Sequence, residues 1–240
     1  MERRELWIPA LVLALSGCAT VLPMQSASAL PEGQWRVEAQ AAIAPWCGVS
    51  GNLSSGCAYN PGGTPLPEGR VSVQRGLADA AELGASAHWS GYAPPGSGDG
   101  LSQRFGLLVQ GKQEVWSREL SPGNRQILSV GGGVGAELVS IRPDVRRLGF
   151  EGLIVLPVYF GHQTNNFEWV GRLAFVERFA DPTLDLEGQR PQVDLGELDL
   201  AVSLLRRAPG HWGVELGYRA PTGRLGDGAF HVSFGLGFAL

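Results

Sequence analysis

Along much of this chain apolar residues occupy every second position. Near the end, Phe230, Val232, Phe234, Leu236, Phe238 and Leu240 alternate with His231, Ser233, Gly235, Gly237 and Ala239. Ala81, Leu83, Ala85, Ala87 and Trp89 alternate in the same way with Glu82, Gly84, Ser86, His88 and Ser90. So do Trp212, Val214, Leu216 and Tyr218 with Gly213, Glu215, Gly217 and Arg219. Period two marks a strand with one apolar face, and no stretch sustains the 3.6-residue spacing of an amphipathic helix. The pattern predicts ten strands, at about 34–44, 69–77, 81–91, 101–118, 125–140, 148–160, 166–179, 193–206, 211–219 and 229–240.

Alternation alone suits a water-soluble sandwich and a membrane barrel equally, because the two differ only in which face points outward. The connections separate them. Each odd-numbered connection on these boundaries is longer than its even-numbered neighbours, as in barrels with long loops on one side of a membrane and short turns on the other. The fold predicted is all-β: an antiparallel up-and-down transmembrane β-barrel of about ten strands. Eight or twelve are the alternatives, since Gln110-Gly111-Lys112-Gln113 reads as a hairpin turn that would divide the fourth strand. Pro157 is the local misfit, because it lacks the N–H that a strand paired on both sides uses.

The two ends carry further signals. Arg3 and Arg4 precede an apolar run from Leu6 to Gly17, too short to span a bilayer and of the length of a signal-peptide core. The run closes on Leu15-Ser16-Gly17-Cys18, which resembles a bacterial lipobox; the resemblance implies acylation of Cys18 as the new N-terminus. Ala19 stands where an inner-membrane retention mark would place Asp, which implies sorting to the outer membrane. At the other end, Ser233, Gly235 and Phe238 match the β-signal that hands outer-membrane barrels to their assembly machinery, while Leu240 departs from it in not being aromatic. The chain thus divides into a signal peptide at 1–17, a tether at 18–33 and a barrel at 34–240. The partners implied are outer-membrane lipids and the lipoprotein-sorting and barrel-assembly machineries.

Composition adds little beyond this. Charged residues are 18 per cent and Gly numbers 35, which suits closely packed strands and tight turns. A net charge of −4 gives no basic stripe for nucleic acid. Gly131-Gly132-Gly133 is followed by no Lys-Ser or Lys-Thr, so a phosphate loop lacks its parts, and no cofactor or metal motif is present. Cys47 and Cys57 have neither a CxxC spacing nor a nearby His; in an oxidising compartment they are expected to form a disulfide.

With the apolar faces turned to lipid, the inward set includes Arg36, Glu38, Gln40, Gln74, Glu82, His88, Arg104, Glu168, Arg172, Glu215, Arg219 and His231. Both signs occur, so ion pairs can satisfy groups that a lumen cannot leave bare. The expectation is a polar, plugged lumen in a protein of structural or surface-interaction role. One alternative is a soluble, lipid-tethered periplasmic barrel or sandwich that binds an apolar ligand. A second is a barrel enzyme acting on lipid or peptide through His88 or His231, the residue type that serves as general base.

Overall fold

The computed structural model describes residues 23–47, 66–78, 80–92, 102–141, 147–180, 196–207, 211–222, 225 and 229–239. They form ten strands: β1 (Trp35–Cys47), β2 (Leu66–Gly76), β3 (Ala81–Tyr92), β4 (Ser102–Ser121), β5 (Asn124–Ile141), β6 (Arg147–Gln163), β7 (Phe167–Ala180), β8 (Glu197–Arg206), β9 (His211–Pro221) and β10 (Ala229–Ala239). Every strand pairs antiparallel with its sequence neighbours, and β1 pairs with β10. The sheet is therefore a closed barrel with no free end to its strand order, which removes the edge that an open sheet exposes.

Alternation decides the faces. On the outside, Leu107 is 65%, Val134 63% and Phe150 59% exposed, whereas the inward Glu168 and Asp199 are at 0%. Val71, Phe105, Leu156, Phe160, Trp169, Leu200, Leu216, Phe234 and Phe238 continue the apolar exterior around the barrel. Monomeric soluble proteins rarely expose contiguous apolar patches beyond a few hundred Å², so this girdle is built to meet hydrocarbon. A water-soluble sandwich would place the same residues inside.

The strand ends joined by the connections 77–80, 122–123, 164–166 and 207–210 lie at one end of the barrel, and those joined by the longer ones (48–65, 93–101, 142–146, 181–196 and 222–228) at the other. β4 is continuous. Gln110 lies opposite Gly84 on one side and Gly133 on the other, so the hairpin conceivable at Gln110–Gln113 does not form. The β4–β5 turn falls instead at Gly123, whose φ of +77° a side chain would resist. Pro157 pairs with Ala174 of β7, but the ladder to β5 is interrupted opposite Gly131 and Gly132. The missing N–H is thereby accommodated within one irregularity.

The disulfide expected between Cys47 and Cys57 is corrected: no disulfide is present among the described residues. Cys47 ends β1 held in the ladder opposite Ala229 of β10, and Cys57 lies outside the described residues. Residues 1–17 and Cys18 also lie outside them.

A barrel of eight strands is just filled by its own inward side chains. Ten strands leave space, and part of it is taken up by the chain's own residues 23–30. Met24, Gln25, Ser26, Ala27, Ser28 and Leu30 are buried inside the barrel. Gly33 then donates to the carbonyl of Gly76 at 3.0 Å and leads the chain out over the short-turn rim into β1.

Candidate functional site in the barrel lumen

The lumen is organised in two layers. Toward the short-turn end, the wall grips the main chain of residues 23–30. Ala27 N–H donates to Glu168 Oε1 at 2.8 Å, Leu30 N–H to Glu82 Oε2 at 3.1 Å and Met24 N–H to Gln40 Oε1 at 3.0 Å. The carbonyls are met as well. Lys112 Nζ donates to those of Ser26 (2.6 Å) and Ser28 (3.2 Å), Ser129 Oγ to Ala27 (2.5 Å) and Arg172 Nη1 to Pro23 (3.3 Å). Two side chains join in: Ser26 Oγ donates to Glu168 Oε2 at 2.6 Å, and Gln163 Nε2 donates to Ser28 Oγ at 3.3 Å.

Charge is balanced locally. Lys112 pairs with Glu82 at 2.9 Å and also lies over the Tyr159 ring, 5.6 Å from its centroid. The wall is shaped to the segment too. A Cβ on Gly161 would come within 2.6 Å of Ala27 Cβ, and one on Gly213 or Gly235 within 2.8 Å of Met24. Glycine at these three places makes room for close approach of the segment.

Among the described residues, the layer toward the long-loop end is built from wall side chains. A continuous chain of ion pairs runs through it. His88 Nε2 and Glu137 Oε1 are 2.8 Å apart, Arg178 joins Glu137 (3.1 Å) to Glu197 (2.5 Å), and Arg219 reaches Glu197 (4.0 Å) and Asp199 (3.6 Å). Arg172 then links Asp199 (3.0 Å) to Glu215 (3.0 Å), and Glu215 lies 3.5 Å from His231. Ser203 Oγ donates a further bond to Glu215 at 2.8 Å. Signs alternate along this chain, so each buried charge has an opposite neighbour. Arg172 belongs to both layers, since it also holds the Pro23 carbonyl.

Of the residues singled out from the sequence, the lumen brings together Glu82, Glu168, Arg172, Glu215 and Arg219. Arg36 and Glu38 stand apart from the ion-pair chain and line a cavity of about 220 Å³ beside Met24, Leu30 and Trp212. Arg104 lies in β4 opposite Ser90 and Val139, and its side chain is outside the described residues. His88 and His231 sit at opposite ends of the ion-pair chain, each against a glutamate and each lying over the glycine of the adjoining strand, Gly106 and Gly217. Among the described residues no serine hydroxyl is hydrogen-bonded to either ring, and the side chains of Ser90 and Ser102 lie outside them.

Sequence reasoning missed Lys112, Glu137, Arg178 and Asp199. Period two from Leu107 and Val109 would have turned Gln110 and Lys112 inward, had the possible hairpin not interrupted the count. Asp199 was available in the same way from Leu200 and Val202.

The girdle, the closed strand order and the polar lumen define an outer-membrane-type β-barrel fold. No family model and no curated protein matches the chain. Among solved structures it is similar to LpxR from Salmonella typhimurium, at 11% identity over 85% of this chain and 99% of that one, with a TM-score of 0.43. It is similar also to an outer membrane channel from Pseudomonas putida F1, at 9% identity over 91% and 100% of the two chains, with a TM-score of 0.43. A third is the KdgM porin, at 8% identity over 85% and 98%, with a TM-score of 0.35. These likenesses concern architecture alone.

Proposed function

We propose that this chain is an outer-membrane β-barrel lipoprotein with a closed lumen and a structural or surface-interaction role. The observation that carries the reading is the double filling of the lumen, by residues 23–30 in one layer and by the Arg172 and Arg178 ion pairs in the other. Filling of both layers opposes an open water path along the axis. Its apolar exterior supports residence in a bilayer. The short turns then face the periplasm, and the long connections, where a surface partner would bind, face outward. Cys18 is the proposed acylation site, handed on by the sorting machinery, and β10 the strand read by the assembly machinery.

Reconstituted in planar bilayers, the full-length protein is expected to pass no stable current steps. Persistent single-channel steps from the wild-type chain would overturn the closed-lumen reading. Metabolic labelling with a radioactive fatty acid should mark the wild type and not Cys18→Ser; equal label in both removes the lipoprotein part. Both proteins should still run as compact species on detergent gels until heated.

A further inference from the structure

The grip on residues 23–30 is of an unusual kind for a lumen filler. Most of its hydrogen bonds go to main-chain N–H and C=O groups and few to side chains. Recognition by main chain is what peptide-binding sites use to hold an extended segment, with a few pockets adding sequence preference. Here the pockets are the floors at Gly161, which admits only the methyl of Ala27, and at Gly213 and Gly235, which admit the unbranched Met24.

Most of the groups that hold the segment also lie on one side, with Gln40 of β1 on the Met24 N–H opposite them. Glu82, Lys112, Ser129, Gln163 and Glu168 clamp it from β3 through β7, while the cavity of about 220 Å³ flanks it toward β8, β9, β10 and β1. The wall's ion pairs do not depend on it, although Glu168 takes its hydrogen bonds from Ser26 and Ala27. Glu82 keeps Lys112, and Arg172 keeps Asp199 and Glu215. If the segment left, water would take over bonds to groups that are already polar, which recovers most of each bond's gross strength.

We infer that the periplasmic half of the lumen is a peptide-binding channel, occupied in cis by residues 23–30 and able to take in their place a short peptide of small, uncharged residues that bends as Ala27 and Ser28 do. The inference rests on the closed-barrel reading and adds to it: the segment is a bound ligand, and its departure frees the periplasmic half of the lumen for another peptide while the ion-pair layer still closes the other half. Partners of this kind would present an alanine or serine where Ala27 sits and a flexible apolar side chain where Met24 sits.

The test is a deletion of residues 23–30 in the otherwise full-length chain, with Ala27→Glu as a second variant. Ala27→Glu sets a carboxylate against Glu168 and leaves the wall intact. Either variant counts once it shows the heat-dependent gel shift of a folded barrel. The expected result is saturable binding of a fluorescent peptide of sequence PMQSASAL, which the wild type, with its own segment in place, should not show, and which a version with glutamate at the Ala27 position should lose. Bilayer conductance should stay at the wild-type level, because the ion-pair layer still closes the long-loop end. A folded variant that does not bind the peptide overturns the inference while leaving the closed-barrel reading intact. Current through the wild type would instead strike at the closed-barrel reading itself.

Discussion

At the long-loop end, Arg172, Arg178 and Arg219 close the lumen by bonding to carboxylates carried on neighbouring strands. At the short-turn end, the space is closed by residues 23–30, which belong to no strand and touch the wall mainly through their backbone. The first closure is inseparable from the barrel, because each ion pair is a tie between strands. The second is separable, because its removal breaks no strand-to-strand contact. Disturbing the first should therefore lower the stability of the whole barrel. Disturbing the second should change occupancy of the lumen while the barrel stands.

The largest effect is expected at Arg172, the one side chain that serves both closures. Arg172→Met takes from Asp199 and Glu215 the cation they share, leaving Asp199 only the more distant Arg219, a loss of about 3–5 kcal/mol. The urea midpoint of the detergent-folded protein should fall sharply, and a midpoint within error of wild type would refute the hub. Lys112→Met is the counterpart in the other half. It removes the donor to Ser26 and Ser28 and leaves Glu82 unpaired, a cost near the lower limit of the range for a broken buried pair, ~3 kcal/mol. Part of that cost vanishes if the segment departs and water reaches Glu82. Lys112→Met should accordingly speed proteolysis at residues 23–30 far more than it shifts the urea midpoint. Equal effects on both would erase the distinction between the two closures.

How much of this could be read from the chain follows from what period two does and does not encode. It fixes which side of a strand faces out, so the lipid-facing row of β10 and the closed ten-strand antiparallel order were legible before any coordinates. Glu168, Arg172 and Glu215 lie on the inner side by the same count. The pairing of those charges was not legible. Arg172 meets Asp199 and Glu215 through the stagger of β7, β8 and β9, a property of the whole barrel. The segment 23–30 carried no periodic signal at all, and its small polar residues suggested a tether. What draws it inside is the space left by ten strands, which exists only after closure. Pro157 was flagged as a misfit, and the break opposite Gly131 and Gly132 is its local resolution.

Smaller substitutions sharpen the comparison. Gly161→Ala puts a methyl 2.6 Å from Ala27 Cβ and 2.8 Å from Glu168 Oε1, an overpacking of about 2 kcal/mol. Because the segment can yield where the wall cannot, the expected outcome is faster proteolysis at residues 23–30 and an unchanged urea midpoint. A lowered midpoint with protected residues would mean that the segment is as firmly built in as a strand.

The finest test uses two serines that do the same thing in different halves. Ser26 Oγ donates to Glu168 at 2.6 Å and Ser203 Oγ donates to Glu215 at 2.8 Å, so each alanine variant removes one hydroxyl from one buried carboxylate. The intrinsic loss should be similar, about 1.5 kcal/mol for a bond to a charged acceptor. Its destination should differ. Ser203→Ala weakens a tie between β8 and β9 whose partner Glu215 stays buried, and the loss should appear in full in the urea midpoint. Ser26→Ala weakens only the hold on the segment, so the midpoint should stay at the wild-type value. Binding of the free PMQSASAL peptide to the chain lacking residues 23–30 should tighten or weaken with its own serine: the peptide with alanine at the Ser26 position should bind roughly tenfold more weakly. If Ser26→Ala lowers the midpoint as much as Ser203→Ala does, the segment unfolds with the barrel and the two closures are one.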